Sequence, residues 1–140
     1  MSAQPIVVEK IVNAPVSRVW KAITNKEQMK EWYFDIASFE PKVGFEFQFE
    51  GGPDGRSYVH QCKIIEVIEN KKLQHSWKYK GYEGNSIVTW ELTDMGSKTK
   101  VKLTHTGVET FPAIPDFKRE NFEAGWNEIV PTLLPGFVEK

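Results

Sequence analysis

The sequence has a single cysteine, Cys62, which excludes an internal disulfide and leaves no cysteine pair to share a zinc ion. It has no basic excess: 18 Lys and Arg stand against 19 Asp and Glu, for a net charge of −1. A general nucleic-acid binder would carry a basic surplus or stripe, so that class is excluded. Long apolar runs are missing too, and nothing approaches the ~18 residues of a membrane span. The start, MSAQPIVVEKIV, lacks the basic segment and apolar core of a signal peptide. A cytoplasmic location is therefore expected. Histidines occur only at positions 60, 75 and 105, with no HxH, HExxH or Cys/His pair to bring ligands together. No metal and no cofactor is expected. Aromatic residues, by contrast, are plentiful at 13% of 140 residues, within an ordinary 40% hydrophobic and 26% charged composition. One domain spanning residues 1–140 is expected, without repeats or linkers.

Hydrophobic periodicity divides the chain into three parts. Ile6 to Val12 reads as a first strand. After Ala14-Pro15, the residues Val16, Val19, Trp20 and Ile23 recur at helical spacing, and proline is tolerated at a helix start. Thr24-Asn25-Lys26-Glu27 reads as a capping box that opens a second short helix to about Trp32. From Asp35 to Thr106 the period is two. Phe45, Phe47 and Phe49 alternate with Glu46, Gln48 and Glu50, and Gly51-Gly52-Pro53-Asp54-Gly55 is turn chemistry. Tyr58 to Ile68 forms the next strand. Alternation then places Leu73, His75, Trp77 and Tyr79 on one face of a strand, followed by Val88, Trp90 and Leu92, and finally Thr99, Val101, Leu103 and His105. Short connections predict an antiparallel meander. In the tail, Phe122, Trp126, Ile129, Val130, Leu133, Leu134 and Phe137 lie on one helical stripe, which predicts a long closing helix.

These residues resemble a known pattern. Ala14-Pro15, Val19 to Thr24, Met29 and Trp32 form one part of it, and Val43-Gly44, Ile65-Glu66-Val67, Leu73 and Trp77 the next. Thr99 to Leu103, His105-Thr106-Gly107 and Gly125-Trp126 complete it, so the likeness runs from about residue 6 to 134. The chain resembles the stand-alone members of the activator of heat-shock protein 90 ATPase homologue family, in the START-like/SRPBCC (Bet v 1-like) superfamily. The resemblance implies an α+β helix-grip fold. It would have a curved seven-stranded antiparallel sheet wrapped around a long C-terminal helix, two short helices after the first strand, and an internal cavity. Three features depart from the pattern. Cys62 replaces an expected glycine, Pro131 and Pro135 interrupt the last helix, and no extra N-terminal domain precedes the fold as in the two-domain co-chaperones.

The candidate site is an apolar pocket between sheet and last helix, a few hundred Å³ in volume, at the low end of the usual ligand range. Its walls would come from Phe45, Phe47, Trp77, Tyr79, Trp90, Phe122, Trp126 and Val130, although the same rings could simply fill the core. His75 and His105 share the apolar parity of their strands and could orient a ligand or be satisfied core groups; His60 is equally ambiguous. Phe111 and Ile114 in the loop Phe111-Pro112-Ala113-Ile114-Pro115 would either plug the core or line a cavity mouth. Pro131 predicts a kink or break near Asn127 to Pro131. Catalytic residues are not expected. Ser76 and Ser86 read as polar-parity or turn residues, Cys62 has no activating base, and Glu46, Glu50, Glu66 and Glu91 fall on an outer solvated face with Lys78, Lys80, Lys98, Lys100 and Lys102.

The leading functional expectation is non-covalent binding of a small hydrophobic or amphipathic molecule. The alternatives are a protein-interaction module of the co-chaperone type, with a chaperone as partner, and a polyketide cyclase or aromatase-like enzyme. A monomer or weak homodimer is expected, with no nucleic-acid partner and no membrane insertion.

Overall fold

The structure is a computed structural model and describes residues 4–36, 38–51 and 57–139. Strand β1 (Ile6–Val12) leads into helices α1 (Val16–Thr24) and α2 (Lys26–Trp32). Strands β2 (Glu46–Gly51), β3 (Tyr58–Ile68), β4 (Lys72–Tyr79), β5 (Ser86–Asp94) and β6 (Thr99–Thr106) follow. Helix α3 (Arg119–Glu128), a π-helical turn (Ile129–Leu133) and helix α4 (Leu134–Val138) close the chain. All strand pairs are antiparallel, in the order β1-β6-β5-β4-β3-β2. No helix is long and apolar enough to cross a membrane. Of the turn expected at 51–55, Gly51 ends β2 and the rest lies outside the described residues.

Among the described residues the sheet has six strands, not seven. The segment after α2 does not alternate, and Pro41 within it has no amide to donate to a ladder. Ile36 from this segment is buried in the core, and Phe39 meets Phe47 edge-on at 5.0 Å. These side chains cover the concave face instead of extending the edge. Pairing with β3 begins only where the Gly44 amide donates to the Ile64 carbonyl at 2.8 Å and the Ile64 amide to the Phe45 carbonyl at 2.9 Å.

Two side chains seat the short helices. Asn25, not Thr24, caps α2, accepting from the Gln28 amide at 3.0 Å, while the Thr24 hydroxyl donates to the Trp20 carbonyl at 2.7 Å. Thr24 is already committed to the turn behind it, which leaves Asn25 as the cap. The Trp32 indole donates to the Ala22 carbonyl at 2.9 Å and locks the two helices together.

The long closing helix of the sequence reading is interrupted. Phe122, Trp126, Val130, Leu134 and Val138 are buried at intervals of four, Pro135 is buried beside them, and Leu133 is exposed rather than on the stripe. In an uninterrupted α-helix, steps of four advance about 40° each and five such positions would spread over about 160°. The π-helical turn winds more slowly and keeps them on the sheet. Pro131 lies inside this turn, and the Leu134 amide donates to Ile129 five residues back. The expected irregularity at Pro131 therefore takes the form of a π turn.

Candidate functional site

The inward parity of the strands and the buried residues of α3 bring aromatic rings together across the concave face. Trp77 lies at the centre, with ring centroids 5.6 Å from Phe49, 4.9 Å from His60, 5.5 Å from His105 and 5.5 Å from Trp126. Trp90 meets Trp126 edge-on at 6.0 Å. Tyr79 stacks on Phe117 at 4.5 Å and touches Phe111 at 5.1 Å and Phe122 at 6.5 Å. Offset and edge contacts of this kind each contribute about 0.5–1.5 kcal/mol beyond burial. Phe111 therefore plugs the core, whereas Ile114 is half-buried at its border. Phe45 is half-buried and reaches the group through Phe39.

A chain of polar groups runs through this aromatic layer. The Trp126 indole donates to His105 Nδ1 at 3.0 Å, and His105 Nε2 lies 2.8 Å from the Ser86 hydroxyl, which donates to the Trp77 carbonyl at 2.8 Å. An indole N–H can only donate, so Nδ1 must be the lone-pair nitrogen and Nε2 carries the proton. Both nitrogens of His105 are thus engaged. Burial, with a smaller effect from His75, lowers its pKa to about 3 and keeps it neutral. Ser86 is fully buried and belongs to the inner face, contrary to its reading as a turn residue. It is the first residue of β5, and its parity with Val88 and Trp90 was the available signal. Nearby, the Trp77 indole donates to the Tyr79 hydroxyl at 3.0 Å.

His75 sits where the ladder between β3 and β4 lapses. Pairing runs through Gln61↔Lys78 and resumes at Ile64↔His75. Between them the Lys63 amide donates to the Ser76 hydroxyl at 3.0 Å, and His75 Nδ1 lies 3.0 Å from the Ser76 carbonyl. A carbonyl only accepts, so Nδ1 carries the proton and Nε2 presents a lone pair. Burial lowers the His75 pKa to about 4. His60 is likewise held by the Tyr58 carbonyl through Nδ1, at 3.0 Å, with burial lowering its pKa to about 4. Burial pushes the Cys62 thiol up, away from the reactive thiolate. The buried histidines, Cys62 and the buried tyrosines are all uncharged near neutral pH.

The void lined by Phe47, His75 and Trp90 is far smaller than a few hundred Å³. It has a volume of about 10 Å³ and lies beneath α1, α2 and the following segment rather than beneath α3. Phe47, His75 and Trp90 line it as part of the expected wall; Trp32, Tyr33 and Phe39 line it without having been singled out. The reason for the small volume is the segment after α2, whose Tyr33, Ile36 and Phe39 occupy the space. One sequence signal for it was the aromatic run Trp32-Tyr33-Phe34 at the end of a helix. The Tyr33 hydroxyl is buried without a hydrogen-bond partner among the described residues. Burial, then Cys62 and Tyr79, raises its pKa well above the ordinary tyrosine value.

A larger concavity, about 720 Å³, lies elsewhere. Glu46, Gln48, Gln61, Lys63, Ser76 and Lys78, which point away from the core, contribute to its walls. It is open and of mixed charge, unlike the uncharged interior. Among the described residues no three His, Cys, Asp or Glu side chains group to hold a metal ion.

Solved structures with this architecture include protein CV1439 from Chromobacterium violaceum. It is 19% identical, with 97% of each chain covered and a TM-score of 0.82. Protein MLL2253 from Mesorhizobium loti is 25% identical, with 97% of each chain covered and a TM-score of 0.78. DynU16, from the dynemicin biosynthetic locus, is 22% identical with a TM-score of 0.78; the match covers 97% of this chain and 47% of DynU16. No curated protein matches the chain. The profile of the family described as Activator of Hsp90 ATPase homolog 1-like protein matches residues 13–139, nearly the whole chain, and the chain belongs to that family.

Proposed function

We propose that this protein binds a small hydrophobic or amphipathic molecule between the concave face of its sheet and the helices packed over it, without covalent chemistry. One observation carries the reading: Tyr33 lines a void in an interior otherwise closed by aromatic rings, and its hydroxyl is buried without a partner among the described residues. Leaving such a group unpaired costs about 1–3 kcal/mol, which packing for stability alone would remove with a phenylalanine. The void must widen to admit a ligand. Tyr33, Ile36 and Phe39 line the void and belong to no strand of the sheet. Each 100 Å² of apolar ligand surface then removed from water contributes about 2.5 kcal/mol. The likeness to DynU16, a protein of a biosynthetic locus, agrees with handling of a small molecule.

A chaperone-contacting module would use a contiguous exposed patch. Of the exposed large apolar residues, Val7 and Ile11 lie on β1 and Ile65 and Ile68 on β3, with three strands between, while Val43, Tyr82, Met95 and Leu133 lie outside the strands. Native mass spectrometry of the purified protein, followed by denaturing extraction, tests the binding reading. A small-molecule adduct lost on denaturation is expected. A bare mass, together with tryptophan indole resonances unmoved by lipid and aromatic panels, overturns it.

A further inference from the structure

Independently of the interior, we infer that the concavity on the outer face of β2, β3 and β4 is a second binding site, for a small hydroxylated carboxylate of the sugar-acid class. Its volume of about 720 Å³ lies within the range of small-molecule sites. Strand register fixes what stands on its floor. Gln48, Gln61 and Lys78 are directly opposite one another on three neighbouring strands, and Glu46 and Lys63 are opposite each other in the next row. Opposed residues of one face hold their Cβ atoms about 4.5–5.5 Å apart, so the row from Gln48 to Lys78 spans roughly 10 Å.

Ser76, beside Lys63, adds a hydroxyl whose position is fixed by the backbone. The Lys80 amide donates to the Val59 carbonyl, and every second pair exchanges bonds in an antiparallel ladder, so the Lys63 amide would ordinarily meet the Ser76 carbonyl. It donates instead to the Ser76 hydroxyl at 3.0 Å, while that carbonyl is engaged by His75 Nδ1. The hydroxyl's own proton makes no bond among the described residues and is left for a ligand.

Charge separates this half of the outer face from the other. Towards β1 opposite charges alternate, with Glu9, Lys102, Glu91 and Lys72 in one row, and Lys72 closes on Glu66 at 2.8 Å. Lys63 and Lys78, in contrast, make no ion pair among the described residues. Glu46 stands opposite Lys63 and offsets it, whereas Lys78 has the Gln61 carboxamide opposite. One uncompensated cation among neutral amides and a hydroxyl suits a single carboxylate that carries hydroxyl groups. The carboxylate goes to Lys78, and the hydroxyls to Gln61, Gln48 and Ser76. A cationic molecule would meet two lysines, and an apolar one would cover the amides without pairing them.

Titration of the isotope-labelled full chain with glucuronate, glucose and acetate, followed through the backbone amide resonances, tests this. Glucuronate is expected to move the Gln61, Lys63, Ser76 and Lys78 amides saturably. It should bind about ten-fold more tightly than acetate, for two hydroxyl contacts. Its advantage over glucose should be roughly three- to five-fold, the scale of one exposed ion pair. Lys78→Gln is expected to abolish the advantage over glucose, whereas Lys102→Gln, on the charge-paired half, keeps it. If Lys78→Gln does not fold, Gln61→Ala supplies the second test: it retains Lys78 and should narrow the margin over acetate. Equal binding of glucuronate and acetate would mean a site for any small anion and overturns the assignment. An advantage over glucose that survives in Lys78→Gln, or an absence of saturable shifts, overturns it as well. Each of these outcomes leaves the reading of the interior standing.

Discussion

The indole N–H of Trp126 on α3 donates to Nδ1 of His105 on β6 at 3.0 Å, joining the closing helix to the sheet by a bond whose direction also sets the histidine tautomer. The proton forced onto Nε2 meets the Ser86 hydroxyl, and that hydroxyl's own proton goes to the Trp77 carbonyl. Every member has a partner of the correct polarity, so the chain stabilises as a unit. His105→Leu leaves the Trp126 N–H and the Ser86 hydroxyl without their partner. A loss of about 2–4 kcal/mol is expected in urea unfolding. Ser86→Ala, which removes one acceptor and one donor, should cost about 1–2 kcal/mol. A shift in urea midpoint below experimental error for both variants would show that the helix is held by ring packing alone.

Three buried histidines also make stability depend on pH. Burial holds the folded pKa values of His60 and His75 at about 4 and of His105 at about 3, against 6.5 for the exposed group. Below pH 6.5 the unfolded chain takes up protons that the folded chain refuses, so acid favours unfolding. The stabilising contribution is complete above that value and is lost as pH falls toward the folded values. With all three titrating, the slope reaches about 4 kcal/mol per pH unit at most. Urea midpoints measured at pH 7, 6 and 5, before most carboxylates titrate, should fall progressively. A flat profile across that range would mean the histidines become protonated while the protein stays folded.

Strand parity made most of the interior legible. His60, His75, Trp77, Tyr79, Trp90 and His105 all face inward, because side-chain direction in a strand is fixed by position alone. Register then places His105, Val88 and His75 in one row across β6, β5 and β4. Ser86 was obscured because the turn-rich stretch before it hid its parity. The segment after α2 was obscured for a different reason: Met29, Trp32, Tyr33 and Ile36 keep helical spacing, yet the helix ends at Trp32 and the later residues pack without a regular element. How full the interior is depends on Tyr33, Ile36 and Phe39, and periodicity along β2 to β6 holds no information about them. The seventh strand came from the family pattern rather than from any alternating run in this sequence.

Phe111 offers a local check on the loop before α3. The turn preceding it closes through Gly107, whose φ of 88° suits glycine and whose added Cβ would lie 2.7 Å from the Asn85 carbonyl oxygen. The Thr110 hydroxyl donates to the Gly107 carbonyl and accepts from the Asn85 amide at 2.8 Å, which aims the next residue inward. Phe111 is buried and meets Tyr79, Phe117 and Phe122, so Phe111→Ala should cost about 3–5 kcal/mol. Ile114, half-buried, should lose less than about 1.5 kcal/mol on conversion to valine. Equal, small losses at both positions would return Phe111 to a cavity mouth.

The π turn is a spare residue in the closing helix, and its removal has a definite expected result. Phe122, Trp126, Val130, Leu134 and Val138 are buried at intervals of four. Deleting Pro131 shortens the interval between Val130 and Leu134 to three, and the five side chains then fall within about 80° on a continuous α-helix. Pro135 remains, and on a continuous α-helix it would lie in the interior, where a proline costs about 3 kcal/mol. The contacts of the half-buried Pro131 ring are lost as well. The deletion variant should fold with the five apolar side chains still on the sheet, and its thermal midpoint should fall below that of the parent because Pro135 then stands inside the helix. Pro131→Ala keeps the spare residue, so the π turn and the seating of Leu134 should persist and the helical signal in far-ultraviolet circular dichroism should change little. Loss of cooperative unfolding in the deletion variant would mean that the slower winding of the turn, and not only its register, is needed to hold α4 against α1.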